Sequence, residues 1–214
     1  MTSPIEYLGS RRYPGRFIVL GQTSGRVMAI YGCTGRSASS LARKYVQDEH
    51  GDVWSVGVSD VVKTEGNPEL LEYRALKWQG SGFVVANGRQ IEGGWETCDP
   101  EPDEYKTPRI TGVVADGQVT LFISRDVGGM VERKRWPLVL EDGKAYFVST
   151  YSGEDVRPTK SFAGEPVPVE FDFVSPSAAA KVIFDSLTPD YQVGVVGVFI
   201  TIGGERELAI VNKL

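Results

Sequence analysis

The chain has 214 residues, of which 41% are hydrophobic and 24% charged, a composition typical of a soluble globular domain. Its formal net charge of −5 argues against general binding to nucleic acid or to an anionic membrane surface. A single histidine, His50, excludes a multi-histidine metal site, and the two cysteines, Cys33 and Cys98, imply no disulfide framework. We therefore expect one domain spanning residues 1–214, without a multi-histidine metal site or a disulfide framework.

We expect neither a signal peptide nor a membrane-spanning segment in this sequence. The first residues lack the basic start and apolar run of a signal peptide, and the apolar run at 193–202 is too short to cross a membrane. A cytoplasmic location is the expectation.

Pairs of apolar segments flank short turns along the whole chain, which predicts β-hairpins. An Asp-Gly or Ser-Gly step in the first four of these turns supplies the positive φ that tight hairpins need. The turns are QTSG at 22–25, QGSG at 79–82, ADGQ at 115–118, EDGK at 141–144 and GGE at 203–205. Residues 167–174 alternate apolar and polar side chains, which predicts a strand with one buried face.

Two segments favour helices. Residues 175–187 offer Ser175 as a cap, Pro176 at the first helical position, and Val182, Ile183 and Leu187 on one face. Residues 38–49 are the second helix prediction. With about ten strands, the pattern indicates an α+β protein of two antiparallel sheets packed face to face, with helices outside.

The segment YGCTGRSASS at 31–40 follows a predicted strand and is rich in small polar groups. Backbone amides near Gly35, the guanidinium of Arg36 and the neighbouring hydroxyls could hold a phosphate. The alternative is a polar loop with one solvated arginine.

Two weaker segments come next. NPELLEYRALKW at 67–78 opens on a turn and carries Tyr73, which could orient or protonate a ligand, although such a tyrosine more often belongs to the core. VVANGRQ at 84–90 ends a strand in Asn-Gly, which alone is most simply a turn.

The segment EPDEYKTPRITGVV at 101–114 places several ionisable groups where the chain enters a strand. Pro108 has no amide hydrogen and belongs at the start of a strand, so Arg109 lies at the strand entrance with Glu101 just before it. Carboxylates near an arginine can have their pKa values separated into acid and base roles. The alternative is an acidic loop with a structural salt bridge.

Taken in order, these segments resemble the archaeal-type IMP cyclohydrolase family. AIYGCTGRS is similar to the family's Tyr-x-x-Ser-Ser-Arg-Ser, NPELLEYR to its Asn-Pro-Tyr-Ile-x-Tyr-Asn, and VVANG to its Val-Ser-Asn-Gly. EPDEYKTPRI resembles its Glu-Lys-Asp-Asp-Tyr-x-Thr-Pro-Arg-Ile. This chain departs from the pattern at Arg74, where the family has asparagine, at Gln90, where it has histidine, and in lacking a family helix after the Asn-Gly.

The resemblance implies a four-layer α-β-β-α sandwich like that of the N-terminal nucleophile hydrolases. It also implies an enzyme that closes the ring of 5-formamidoimidazole-4-carboxamide ribotide to give IMP and water, without metal or cofactor. Its expected partner is the purine ribonucleotide, with a possible homo-oligomer. The implied catalytic residues are Arg36, Tyr73 and Glu101. The implied substrate-binding residues are Ser37, Asn67, Arg74, Asn87, Gly88, Tyr105, Thr107 and Arg109.

Arg74 is the least supported of these residues, because neighbours on a strand point to opposite faces and Tyr73 would face the site. Three other functions stay open. One is an N-terminal nucleophile amidohydrolase using Thr2, another is a non-catalytic purine-nucleotide-binding protein, and the third is a β-rich domain with only a partner-binding surface.

Overall fold

The computed structural model describes residues 2–9, 13–57, 72–102, 105–151, 164–201 and 204–214. Thirteen strands lie within these ranges, and they form two sheets in which every strand pair is antiparallel. This confirms the predicted α+β class, with more strands than the ten expected.

The first sheet has six strands in the order β11-β10-β1-β2-β12-β13. Their bounds are β1 Arg16–Thr23, β2 Arg26–Thr34, β10 Lys144–Ser149, β11 Val167–Glu170, β12 Gln192–Ile200 and β13 Arg206–Asn212. The second sheet has seven strands in simple chain order, β3 to β9. Their bounds are β3 Lys44–Gln47, β4 Val53–Val56, β5 Glu72–Gln79, β6 Gly82–Ala86, β7 Arg109–Ala115, β8 Gln118–Val127 and β9 Met130–Leu138.

The two sheets pack face to face around one apolar core. Ile18 and Leu20 of the first sheet share a cluster with Phe83, Ile110 and Leu121 of the second, and all five are fully buried. Burial of this kind supplies the main favourable free energy of folding.

The part of the chain that the structure describes contains three α-helices: α1 (Pro4–Gly9), α2 (Ala38–Leu41) and α3 (Pro176–Ser186). Ser175 caps α3 by accepting a hydrogen bond from the amide of Ala178, as the sequence predicted. The buried face of α3 contains Ala179, Ala180 and Ile183, and it covers the outer side of the six-stranded sheet.

The prediction that Val182 shares the buried face of α3 was wrong. Val182 is 38% exposed, while Ile183 is fully buried and Leu187, just past the helix, is 2% exposed. A step of one residue turns the helix by about 100°, so Val182 and Ile183 cannot both face the sheet.

The β1–β2 and β7–β8 hairpins confirm the turn predictions. Ser24 and Gly25 have φ of 49° and 72°, and Asp116 and Gly117 have φ of 51° and 74°, the left-handed pair that a two-residue turn needs. The β5–β6 and β12–β13 hairpins are also present.

Two predictions from local sequence were wrong. EDGK at 141–144 does not close a hairpin, because β9 ends in the seven-stranded sheet and β10 begins in the six-stranded one. Asp142 instead accepts hydrogen bonds from Gln22 Nε2 and the amide of Gly25. Residues 38–49 form only the one-turn helix α2 and then strand β3, because Tyr45 is needed in the core and pairs across to Ser55.

The outer face of the seven-stranded sheet is covered differently. Beyond Asn87–Gly88 the chain makes a 3-10 turn at Arg89–Glu92. Ile91 and Trp95 then pack on Val113 and Phe122 of the sheet. Among the described helices, none is long and apolar enough to cross a membrane.

Candidate active site

A cavity of about 390 Å³ opens at one end of the sandwich, a size within the usual range for small-molecule sites. The end of β2, the start of β1, the residues after β10 and the loop before β7 all meet there. Its lining comprises Tyr13, Gly15, Arg16, Cys33, Thr34, Arg36, Ser37, Ser40, Arg43, Glu101, Tyr105, Thr107, Thr150 and Tyr151.

The backbone at the mouth of β1 and β2 is tied together. The amide of Thr34 donates to the carbonyl of Gly15 at 2.7 Å, and the amide of Gly15 donates to Oγ1 of Thr34 at 2.9 Å. Gly15 has φ of 70°, and a Cβ there would collide with Thr150 and Tyr151. Glycine is therefore required at position 15, both because φ is positive and because there is no room for a side chain.

Charge in the cavity lining is mostly positive. Three guanidiniums, those of Arg16, Arg36 and Arg43, line it together with a single carboxylate, Glu101, among the described residues. Guanidiniums bind phosphate and carboxylate groups in a directed, often bidentate way. The lining is thus suited to an anionic ligand.

Glu101 is held between two arginines. Its Oε1 accepts hydrogen bonds from Arg16 Nη1 at 3.0 Å and from Arg109 Nη1 at 3.1 Å, and all three side chains are 18–23% exposed. Burial is the largest single influence on the pKa of the Arg16 guanidinium and lowers it, but the Glu101 carboxylate, together with Tyr73, Cys33 and Tyr31, raises that pKa well above the usual value. The amide of Glu101 donates to the carbonyl of Thr107, which closes the loop that carries it.

An aromatic wall faces these charges. The rings of Tyr13 and Tyr151 stack with centroids 5.7 Å apart, and the guanidinium of Arg36 lies 5.0 Å from the Tyr13 ring centroid. Burial raises the pKa of Tyr13 to about 12, so its hydroxyl stays protonated at neutral pH. The Tyr151 hydroxyl lies 2.9 Å from Oγ1 of Thr107.

Ser37 begins the helical turn α2. Its Oγ accepts from the amide of Ser40 at 3.1 Å and lies 2.7 Å from Oγ of Ser40. Gly35 is needed here because a Cβ would lie 2.6 Å from that of Ser40. The turn fixes the backbone position from which the Arg36 side chain extends.

Tyr73 lies behind the cavity wall. Its hydroxyl is 2.8 Å from that of Tyr31, and its ring centroid is 6.0 Å from the Arg16 guanidinium and 5.6 Å from that of Arg43. Tyr73 is half-buried, and both arginines beside it line the cavity.

Asn87 and Gly88 help to position Arg109. Asn87 is 1% exposed, and its side chain donates to the carbonyl of Pro108 at 2.8 Å and accepts from the amide of Ile110 at 2.8 Å. This fixes the entry of β7. A Cβ at Gly88 would overlap Arg109 Nη1, so the absent side chain leaves room for the guanidinium to reach Glu101.

The predicted residues fall into four groups. Those lining the cavity are Arg36, Ser37, Glu101, Tyr105 and Thr107. Those that contact or support lining residues are Tyr73, Asn87, Gly88 and Arg109. Asn67 lies outside the described residues, and Arg74 is not at the cavity.

Arg74 points to the outer face of the seven-stranded sheet. Its Nη1 lies 3.1 Å from Glu92 and 3.7 Å from Asp52, and its guanidinium stacks 4.6 Å from the Trp54 ring centroid. The alternation of side chains along β5 places it opposite Tyr73. The predicted contact between Arg74 and substrate therefore has no support in this geometry.

Among the charged and aromatic residues of the lining, sequence reasoning missed four: Tyr13, Arg16, Arg43 and Tyr151. Arg16 carried the same signal as Arg109, an arginine at the first residue of a strand. The pairing of Arg16 with Glu101, 85 residues away, could not be read from local sequence.

Thr2 is not among the residues that line the cavity. It bridges to Val169 on β11, and its carbonyl accepts from the amide of Glu170, beside the start of β10. The cavity lies past the other end of β10, at Thr150 and Tyr151. The described geometry does not support Thr2 as a nucleophile at this site.

Cys33 and Cys98 are both free thiols. Among the described residues no group of three or more His, Cys, Asp and Glu side chains is arranged to hold a metal ion. Burial raises the pKa of the Cys33 thiol at the cavity floor, which keeps it protonated.

Comparison with known proteins identifies the family of the chain. A family model described as IMP cyclohydrolase-like protein matches residues 13–205. The chain belongs to this family.

The IMP cyclohydrolase of Thermococcus kodakarensis is 27% identical over 206 residues, covering 87% of this chain and 92% of the relative. That of Natronomonas pharaonis is 28% identical over 205 residues, covering 85% and 97%. That of Methanococcus maripaludis strain S2 is 29% identical over 157 residues, covering 65% and 74%. The region that the family model matches, residues 13–205, includes every residue of the cavity lining.

Proposed function

We propose that the protein is an IMP cyclohydrolase that closes 5-formamidoimidazole-4-carboxamide ribotide to IMP. The carboxamide nitrogen attacks the formyl carbon of the same molecule and loses one proton. The formamido nitrogen loses a second proton as its double bond to that carbon forms, and the formyl oxygen takes up both protons and leaves as water. The observation that carries the proposal is a cavity with three arginines and one clamped carboxylate, in a chain of this family.

The arginines suit the substrate's charge. The 5′-phosphate is a dianion, and Arg36 and Arg43 both lie in the segment between β2 and β3 and line the cavity. We propose that these two hold the phosphate, with Ser37 beside them. Because attacking and attacked groups belong to one molecule, fixing its ends mainly selects a near-attack conformer.

Glu101 is the carboxylate that can move protons at the reacting centre. Both of its arginine partners bond to Oε1, so the proposal assigns proton acceptance to Oε2. Proton transfer by a positioned group accelerates reactions roughly a hundredfold or more. Arg16 and Arg109 orient this carboxylate and bring positive charge near the developing oxyanion.

Tyr73 is the proposed hydroxyl donor to the oxyanion that forms on the formyl group. A single donor of this kind contributes about 3–4 kcal/mol to transition-state stabilisation. Its support is the placement of the ring against Arg16 and Arg43. Tyr105 and Thr107 would contact the base or ribose from the loop side.

We also propose that the fold is a variant of the four-layer α-β-β-α sandwich. Two facing antiparallel sheets and α3 on one outer face support this. On the other outer face the turn Arg89–Glu92 stands where a helix would complete the layers. A cytoplasmic location and a homo-oligomer stay predictions.

An ultraviolet assay of ring closure with the purified chain tests the function. We expect turnover by the native protein and none by a heat-inactivated sample. Arg36→Gln should raise KM at least tenfold, because a hydrogen bond to a charged group is worth about 1.5–3 kcal/mol. Arg89→Gln, an exposed arginine outside the cavity, is the matched control.

Binding of IMP without any turnover would contradict the proposal and favour a non-catalytic nucleotide-binding protein. If the protein neither binds IMP nor closes the ring of the substrate, the purine nucleotide is not its ligand.

A further inference from the structure

Tyr31 carries a buried hydroxyl group that has no role in the reaction as proposed above. It lies on β2, is 1% exposed, and its Oη is 2.8 Å from that of Tyr73 on β5. The bond therefore crosses from one sheet to the other through the core. Buried hydroxyls normally have a partner, and here the partner is a proposed catalytic group.

We propose that Tyr31 is a positioning residue that fixes the Tyr73 hydroxyl for donation to the reacting formyl oxygen. The inference rests on the proposed function, because it assigns Tyr31 a role through Tyr73. Neither Tyr31 nor Tyr73 is among the residues that line the cavity, but the Tyr73 ring lies against Arg16 and Arg43, which line it, whereas Tyr31 lies deeper in the core.

The hydroxyl pair has two possible arrangements, and only one leaves the Tyr73 proton available. If Tyr31 donates to Tyr73, the Tyr73 proton is directed away from the pair. If Tyr73 donates to Tyr31, the Tyr73 proton is directed into the core and is not available to the substrate. The orientation of this bond decides whether Tyr73 can act as a donor.

The surroundings favour donation by Tyr31. The guanidiniums of Arg16 and Arg43 lie within 6.0 Å of the Tyr73 ring and favour electron density on that phenol. Tyr31 packs edge-on to Tyr45, with ring centroids 5.7 Å apart at 83°. Burial raises the pKa of Tyr31 well above its usual value, so Tyr31 keeps the proton it donates.

Kinetics of Tyr31→Phe test the role, because this change removes only the hydroxyl. We expect kcat to fall roughly ten- to a hundredfold with KM unchanged, because a misplaced Tyr73 would lose part of the roughly hundred- to thousandfold contribution of an oxyanion donor. Tyr45→Phe removes a hydroxyl from the neighbouring buried ring and should leave kcat within about twofold. Unchanged IMP affinity and melting temperature would show that Tyr31→Phe is folded.

The double variant Tyr31→Phe/Tyr73→Phe separates positioning from a general structural effect. Residues that act as a unit are non-additive. We expect the double variant to be no slower than Tyr73→Phe alone. Multiplied losses, or a loss in KM instead of kcat, would overturn the proposal.

Proton NMR tests the pair without any turnover, so failure of the proposed function and failure of this inference are distinguishable. A buried, bonded hydroxyl proton exchanges slowly and gives its own downfield resonance. That resonance should vanish in both Tyr31→Phe and Tyr73→Phe and persist in Tyr45→Phe. Its persistence in Tyr31→Phe would overturn the inference even in an active enzyme.

Discussion

Gly88→Ala is a perturbation whose effect can be worked out from the structure. The backbone of Gly88 is extended, with φ of 163°, so alanine meets no dihedral obstacle. Its Cβ would nevertheless overlap Nη1 of Arg109 and lie 3.2 Å from the guanidinium carbon. The guanidinium must move away, because nothing else at that position can yield as easily.

The displacement breaks the bond from Arg109 to Glu101, which is 3.1 Å long. A hydrogen bond to a charged group contributes about 1.5–3 kcal/mol. At about 1.4 kcal/mol per factor of ten, kcat/KM should fall roughly ten- to a hundredfold. The ultraviolet ring-closure assay measures this directly.

Two comparisons isolate the cause. Gly94→Ala adds the same methyl group nearby with nothing within 4 Å of it, and it should leave kcat/KM unchanged. In an Arg109→Ala background, Gly88→Ala should add no further loss, because the displaced group is gone. A full loss in that background, or wild-type activity of Gly88→Ala alone, would refute the reasoning.

Three further results are expected. Arg74→Asn should leave kcat/KM within about twofold, because Arg74 pairs with Glu92 on the outer face and surface pairs contribute about 1 kcal/mol or less; a tenfold rise in KM would contradict this. Ile183→Ala should lower the free energy of unfolding by about 2–5 kcal/mol, while denaturant titration of Val182→Ala, at a 38% exposed position, should show less than about 1 kcal/mol. Activity should survive dialysis against EDTA, and loss that added metal restores would contradict the expected metal independence.

The hairpins could be predicted because their determinants are local. Ser24-Gly25 and Asp116-Gly117 adopt the positive φ that their residue types favour. The same local signal at Asp142-Gly143 identified a turn but not the sheet each neighbouring strand joins. That choice depends on contacts such as Asp142 with Gln22, 120 residues away.

In the candidate site, too, some contacts could be predicted from local sequence and others form only through the fold. Glu101 and Arg109 could be paired from sequence because eight residues separate them. Arg16 joins them only through the fold, and Tyr31 meets Tyr73 only because the two sheets face each other. Alternation along β5 was enough to question Arg74 before the structure placed it outside.

The most direct test of the central claim is a crystal structure of the protein with IMP bound. The account predicts nucleotide density in the cavity between Glu101 and the aromatic wall, with the phosphate within hydrogen-bond distance of Arg36 or Arg43. IMP bound elsewhere, with this cavity left unchanged at saturating nucleotide, would contradict it.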